Sequence, residues 1–152
     1  MYEIIKYEEG FKEKPYYCPE GYVTVGFGSL IGPKGAPLEY YTFTVDKEIA
    51  ELMMLKELKT IPNFIHKTIG EPKGLNTARR DVLYSMVYQL GEKGFLGFKK
   101  MVAAIKNGDW QEAAIQALDS KWAREQTPER AIRHAEVLRS GTLDVYKGLL
   151  GE

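Results

Sequence analysis

Three side chains near the N-terminus are of the types that hydrolytic chemistry uses: Glu9, Cys18 and Thr24. Eight residues lie between the first two and five between the second and third. Glu9 closes a short apolar stretch and is followed by Gly10, a helix-stop signal. Cys18 and Thr24 flank Pro19-Glu20-Gly21, a run suited to a tight turn. A hairpin there brings both toward one face, over which the preceding helix presents Glu9. Cleavage of a glycosidic bond needs such a set: an acid for the leaving oxygen and, across the ring, a group that acts on water or on carbon. The acid must stay protonated near neutral pH, which burial against apolar groups favours. Glu8 and Glu9 point different ways on a helix, so one can enter a groove while the other meets water. Taken singly, each residue has a plainer role: an exposed helix-end carboxylate, a small buried thiol, a strand-forming threonine.

The elements that must position these groups follow from patterning. Ile4 and Ile5 mark a helix over residues 2–9. Residues 15–31 are rich in Tyr, Val, Thr and Phe and punctuated by Gly, which predicts an antiparallel sheet of two or three strands. Residues 32–43 read as a loop. Thr44 is placed to cap a helix over 46–59, and residues 61–75 read as irregular or a short helix. From Asn76, Val82, Leu83, Met86, Val87 and Leu90 form an apolar stripe ending at Gly91. A helix is expected from Phe95 to Ile105. Another is capped by Asp109, with Glu112 completing a capping box. Thr127-Pro128 starts a last helix, a capping hydroxyl followed by proline at the first helical position, and Gly141 ends it. The fold class is α+β, with the strands near the N-terminus.

Composition bounds the function. The chain has 152 residues, the size of one domain or two small lobes, and its 44% hydrophobic content builds a core without staples. Lys plus Arg is 21 and Asp plus Glu is 21. The balance gives no pull toward a polyanion, so no nucleic-acid partner is expected. With the lone Cys18 and the separated His66 and His134, neither a disulfide nor a metal site is expected, and no cofactor. No run is long and apolar enough for membrane insertion, and the start has no signal-peptide pattern. Gly26 and Gly28 are no phosphate cradle, because the Lys-Ser/Thr ending is missing.

Several blocks of the chain resemble the T-even phage lysozyme family, glycoside hydrolase family 24. The first contains Glu9-Gly10, Tyr16, Cys18, Gly21 and Thr24-Val25-Gly26-Phe27-Gly28. The second is Met86-Val87-Tyr88-Gln89-Leu90-Gly91-Glu92. The third runs from Ser120-Lys121-Trp122 through Gln126-Thr127-Pro128-Glu129-Arg130-Ala131 and continues in Gly141 to Lys147. They keep family order and cover roughly a third of the chain. The resemblance implies one lysozyme-like domain over 1–152. A small sheet lobe takes about 10–60 and a helical lobe about 76–152 plus the helix 2–9, with a cleft between. It implies Glu9 as proton donor, Cys18 and Thr24 as the second and third catalytic positions, and Gln89 and Arg130 near bound sugar. Tyr16 and Tyr22 offer flat amphipathic rings for sugar faces. The implied substrate is bacterial peptidoglycan, cut at the β-1,4 bond between N-acetylmuramic acid and N-acetylglucosamine.

A monomer is expected. The resemblance implies that it stays in the host cytoplasm until lysis, with a separate pore-forming protein opening the way to the wall. The chain departs from the family in having Cys18 where the best-known member has Asp, Ser29 where it has His, and an unmatched segment 32–43. An inverting hydrolysis is expected, with Cys18 orienting water or assisting weakly as base, or else attacking as nucleophile. Two other readings remain open: an inactive wall-binding or phage structural module, and a transglycosylase that breaks the same bond without water.

Overall fold

The computed structural model describes residues 2–151. It forms two compact units, one spanning Glu3–Lys59 and the other running from Thr60 onward, with Tyr2. The fold is α+β, as the patterning predicts: a three-stranded antiparallel sheet followed by helices.

The first unit opens with α1 (Glu3–Glu9), which buries Ile4 and Ile5 and stops where the Gly10 N–H donates to the Lys6 carbonyl. Strands β1 (Lys12–Tyr17), β2 (Tyr22–Gly26) and β3 (Ser29–Lys34) follow in the order β1-β2-β3. The sheet is longer at both ends than the predicted 15–31. Pro15 sits inside β1, where its missing N–H is tolerated because β1 is an edge strand and its register slips between Lys12 and Tyr16. The central strand buries Val23, Thr24 and Val25 in succession, so both of its faces are covered.

Helix α2 (Lys47–Leu58) packs on β2 and buries Ala50, Met54 and Leu58, one face at four-residue spacing. Its cap is Asp46, whose carboxylate accepts from the Ile49 N–H at 2.8 Å, and not Thr44. Asp46 is the residue immediately before the first turn, where a side-chain oxygen reaches the orphan donors. Lys6 on α1 pairs with Glu51 on α2 at 3.1 Å. That pair and the seat of Glu9 described below tie α1 to the sheet and α2 of its own unit.

In the second unit, residues 61–75 contain a regular helix, α3 (Ile61–Ile69), with Ile61, Ile65 and Ile69 buried at i, i+4, i+8. Helix α4 (Thr77–Leu96) is capped by the Asn76 side chain and interrupted at Gly91 (φ +76°), the expected stop, after which one more turn carries the buried Phe95. Helix α5 (Lys99–Lys106) therefore starts later than predicted. Helix α6 (Trp110–Leu118) has the predicted Asp109 cap, which accepts from the Glu112 N–H at 3.1 Å. A π-type turn (Trp122–Gln126) leads into α7 (Pro128–Ser140), and a single 3-10 turn follows at Asp144–Tyr146. Thr127 does precede α7, but its hydroxyl does not cap it. The oxygen is engaged by Gln89 Nε2 at 3.1 Å instead, a long-range bond that local patterning cannot show.

Arg79 ties this unit together. Its guanidinium donates to the carbonyls of Leu138 (2.9 Å), Arg139 (3.2 Å) and Gly74 (2.7 Å), and it lies 4.6 Å from the centre of the Trp110 ring. Two of those acceptors are last-turn carbonyls of α7, which have no partner within the helix. Lysine keeps the charge but not the planar fork. Arg79→Lys is therefore expected to lower unfolding free energy by about 1–2 kcal/mol in urea titrations. An unchanged midpoint would show the fork to be dispensable.

Under α7 lies a buried polar chain. Arg130 Nη2 donates to Ser85 Oγ at 2.8 Å, His134 Nε2 lies 2.7 Å from the same oxygen, and His134 Nδ1 lies 2.9 Å from the Tyr146 hydroxyl. Burial first, then the charges of Arg130 and Arg133, hold the imidazole well below its ordinary range. The unfolded chain takes up this proton near pH 6.5 while the native state does not, so acid favours unfolding. Stability should fall by up to about 1.4 kcal/mol per pH unit below about 6.5. Melting curves between pH 7 and 5 should show a slope that flattens in His134→Gln. An equal slope in both chains would remove His134 as its cause.

Candidate active site

Glu9 is the last residue of α1 and is half-buried. Its carboxyl lies on the bare backbone of Gly28, in the turn between β2 and β3. A β-carbon at Gly28 would come 2.9 Å from Glu9 Cδ and closer still to Oε1. Gly28 also has φ +77°, a conformation that side chains resist. Both glycines of the Thr24-Val25-Gly26-Phe27-Gly28 run thus have a steric reason. Gly26 lets Ala50 of α2 approach, because a β-carbon there would lie 2.9 Å from Ala50 Cβ, while Gly28 seats the carboxyl.

Tyr16, half-buried on β1, sits within electrostatic reach of both Glu9 and Cys18. Its phenol is pushed above the usual tyrosine range, first by burial, then by Glu9, then by Cys18. Glu9, Tyr16 and Cys18 are therefore brought together. The Lys12 ammonium stands 5.7 Å from the centre of the Tyr16 ring and covers part of one face. Tyr22, at the other end of the hairpin turn, is exposed.

Cys18 is a half-buried free thiol at the start of a closed turn. The Gly21 N–H donates to the Cys18 carbonyl at 2.8 Å, and the Cys18 N–H donates to the Tyr22 carbonyl at 2.9 Å. The thiol donates to Glu20 Oε2 at 3.7 Å, a long contact acceptable for sulfur. Thr24 pairs with Tyr16 across β1 and β2, so the two share a face of the sheet. Its side chain is 1% exposed, and its hydroxyl donates to the Tyr22 carbonyl at 2.9 Å. Ser29, directly after Gly28, is buried with a hydroxyl that has no hydrogen-bond partner among the described residues.

Gln89 and Arg130 belong to the second unit, each with partners there. Gln89 donates to Thr127 Oγ1 and accepts from Trp122 Nε1 at 2.9 Å. Arg130 is buried on Ser85. Two residues escape the sequence reading: Gly28 as the seat of the carboxyl, and Glu20 as the partner of the thiol. The signal for Glu20 is the Cys-Pro-Glu-Gly turn itself, which brings side chains two residues apart to the same side. Among the described residues, no group of three or more His, Cys, Asp or Glu side chains could hold a metal ion. No helix among them is long and apolar enough to cross a membrane.

A small sheet unit bearing a carboxyl at the end of its first helix, continued by a helical unit, defines a lysozyme-like α+β protein. The sequence comparisons agree. The phage lysozyme family model matches residues 6–134. Probable T4-type lysozymes 1 and 2 of Dictyostelium discoideum are each 30% identical, over 95% of this chain and 96% of theirs. The pre-baseplate central spike protein Gp5 of Enterobacteria phage T4 is 27% identical over 96% of this chain. The chain spans only 28% of that spike protein's length. The chain belongs to the phage lysozyme family.

Proposed function

We propose that this chain is a muramidase that hydrolyses the β-1,4 bond between N-acetylmuramic acid and N-acetylglucosamine in peptidoglycan, with Glu9 as general acid. The observation that carries the reading is the Glu9 carboxyl seated on Gly28, with Tyr16 in electrostatic reach of both it and Cys18. A sugar seated over that carboxyl excludes water and favours its neutral form. Glu9 then gives its proton to the leaving oxygen while water attacks the anomeric carbon from the opposite face. Cys18 takes the water-orienting position. Thr24, with its hydroxyl proton directed at Tyr22, offers only lone pairs to that water. Tyr16 and Tyr22 supply ring surface for sugar, and Gln89 and Arg130 are assigned to substrate by family resemblance. Passage to the wall is assigned to a separate pore-forming protein.

The match to a baseplate spike protein favours a second reading, in which the chain binds the wall as part of an assembly without cutting it. Mass analysis of muropeptides after digestion by the wild type and by Glu9→Gln separates the two. Reducing ends with the full mass of added water, lost in the variant, support hydrolysis. Products lighter by one water indicate an anhydro-forming enzyme. Wall binding with no release from the wild type sinks the enzymatic reading.

A further inference from the structure

We propose that the Glu20 carboxylate is the terminal acceptor of the proton lost by the attacking water, reached through the Cys18 thiol; this rests on the muramidase reading above. An ordinary cysteine is only a few per cent thiolate at neutral pH, so a thiol alone makes a poor base by population. A thiol that donates to a carboxylate has another route, since sulfur is both a weak donor and a weak acceptor. It can take one proton as it releases another. Cys18 is placed for this, because its Sγ–H is directed at Glu20 Oε2 at 3.7 Å.

The pairing is built into one turn. The Gly21 N–H to Cys18 carbonyl bond closes residues 18–21, Pro19 restrains the backbone between the two side chains, and Gly21 at φ +89° completes the bend. The thiol is half-buried and the carboxylate exposed, so the relay ends in solvent. Around it stand Tyr16 of β1, in electrostatic reach of Cys18 and of Glu9, and Tyr22 of β2, whose carbonyl accepts from the Cys18 N–H. Lys34 of β3 also approaches, its Cγ 3.5 Å from the point where a β-carbon on Gly21 would lie.

In the step itself, the water oxygen bonds to the anomeric carbon as the glycosidic C–O bond breaks. Glu9 protonates the leaving oxygen. The water proton moves to Cys18 Sγ, and the original thiol proton moves to Glu20 Oε2. Glu20 then releases a proton to solvent and Glu9 takes one up, which closes the cycle with no net change in the enzyme. Glu20 acts through Cys18 and is thus a positioning residue.

A double-mutant cycle tests the relay, reading initial rates of muropeptide release at pH 7. Glu20→Gln should lower kcat about tenfold, with KM within about twofold, because assistance to proton transfer is lost while sugar contacts stay. Glu20→Asp should recover part of that rate. In a Cys18→Asp background the new carboxylate takes the water proton directly, and the Glu20→Gln penalty should shrink to about twofold or less. Equal penalties in both backgrounds, or a loss confined to KM, would overturn the relay. Full activity of Glu20→Gln alongside an inert Glu9→Gln would overturn the relay and leave the muramidase reading standing. A wild type that releases no muropeptides would end both.

Discussion

Glu9→Gln should slow muropeptide release by about 100-fold or more while the fold stays intact. Glutamine fills the same space on Gly28 but has no acidic proton for the leaving oxygen. A 100-fold loss corresponds to about 2.7 kcal/mol of transition-state stabilisation. A change confined to chemistry leaves KM and melting temperature close to wild type. A second readout needs no substrate. Glu9 is one of the charges that push the Tyr16 phenol upward, so that phenol should titrate lower in Glu9→Gln, by UV-monitored titration. Burial, the larger cause, persists, so the relaxation is partial. Near-wild-type clearing of peptidoglycan would remove Glu9 as the acid. An unmoved Tyr16 titration would deny that the two groups are neighbours.

How much of this was legible in the sequence depends on the range of the physics involved. Features set by a few consecutive residues read correctly. Gly10 ends α1, Asp109 caps α6, and Pro128 opens α7, each because the local backbone leaves one residue type an advantage. Thr44 and Thr127 misled for different reasons. Asp46 lay closer to the orphan donors of α2, and the Thr127 hydroxyl was claimed by Gln89, 38 residues away. The chain from Arg130 through Ser85 to His134 and Tyr146 spans three separated segments and has no local signature. At the candidate site, residue types pointed to Glu9, Cys18 and Thr24. Their partners were hidden, because only the closed turn shows Glu20 on the thiol and only the fold shows Glu9 on Gly28.

Gly28→Ala should lower kcat about 10–100-fold and stability by about 1–2 kcal/mol, through one added methyl group. The stability term comes from φ +77°, which alanine adopts only with strain. The rate term has a separate origin. The new β-carbon would meet the far end of a flexible side chain, so the Glu9 carboxyl can swing aside at little energetic cost, and the displaced proton donor no longer faces the leaving oxygen. Gly26→Ala supplies the contrast. Its β-carbon would meet Ala50 Cβ at 2.9 Å and the Ala50 α-carbon at 3.4 Å, parts of a packed helix that cannot swing away. That variant should lose stability while keeping its rate per folded molecule. Since the Gly28 effect runs through Glu9, adding Gly28→Ala to Glu9→Gln should reduce the rate little further. Independent, multiplying losses in the double variant would mean that Gly28 acts on catalysis by some path other than seating the carboxyl.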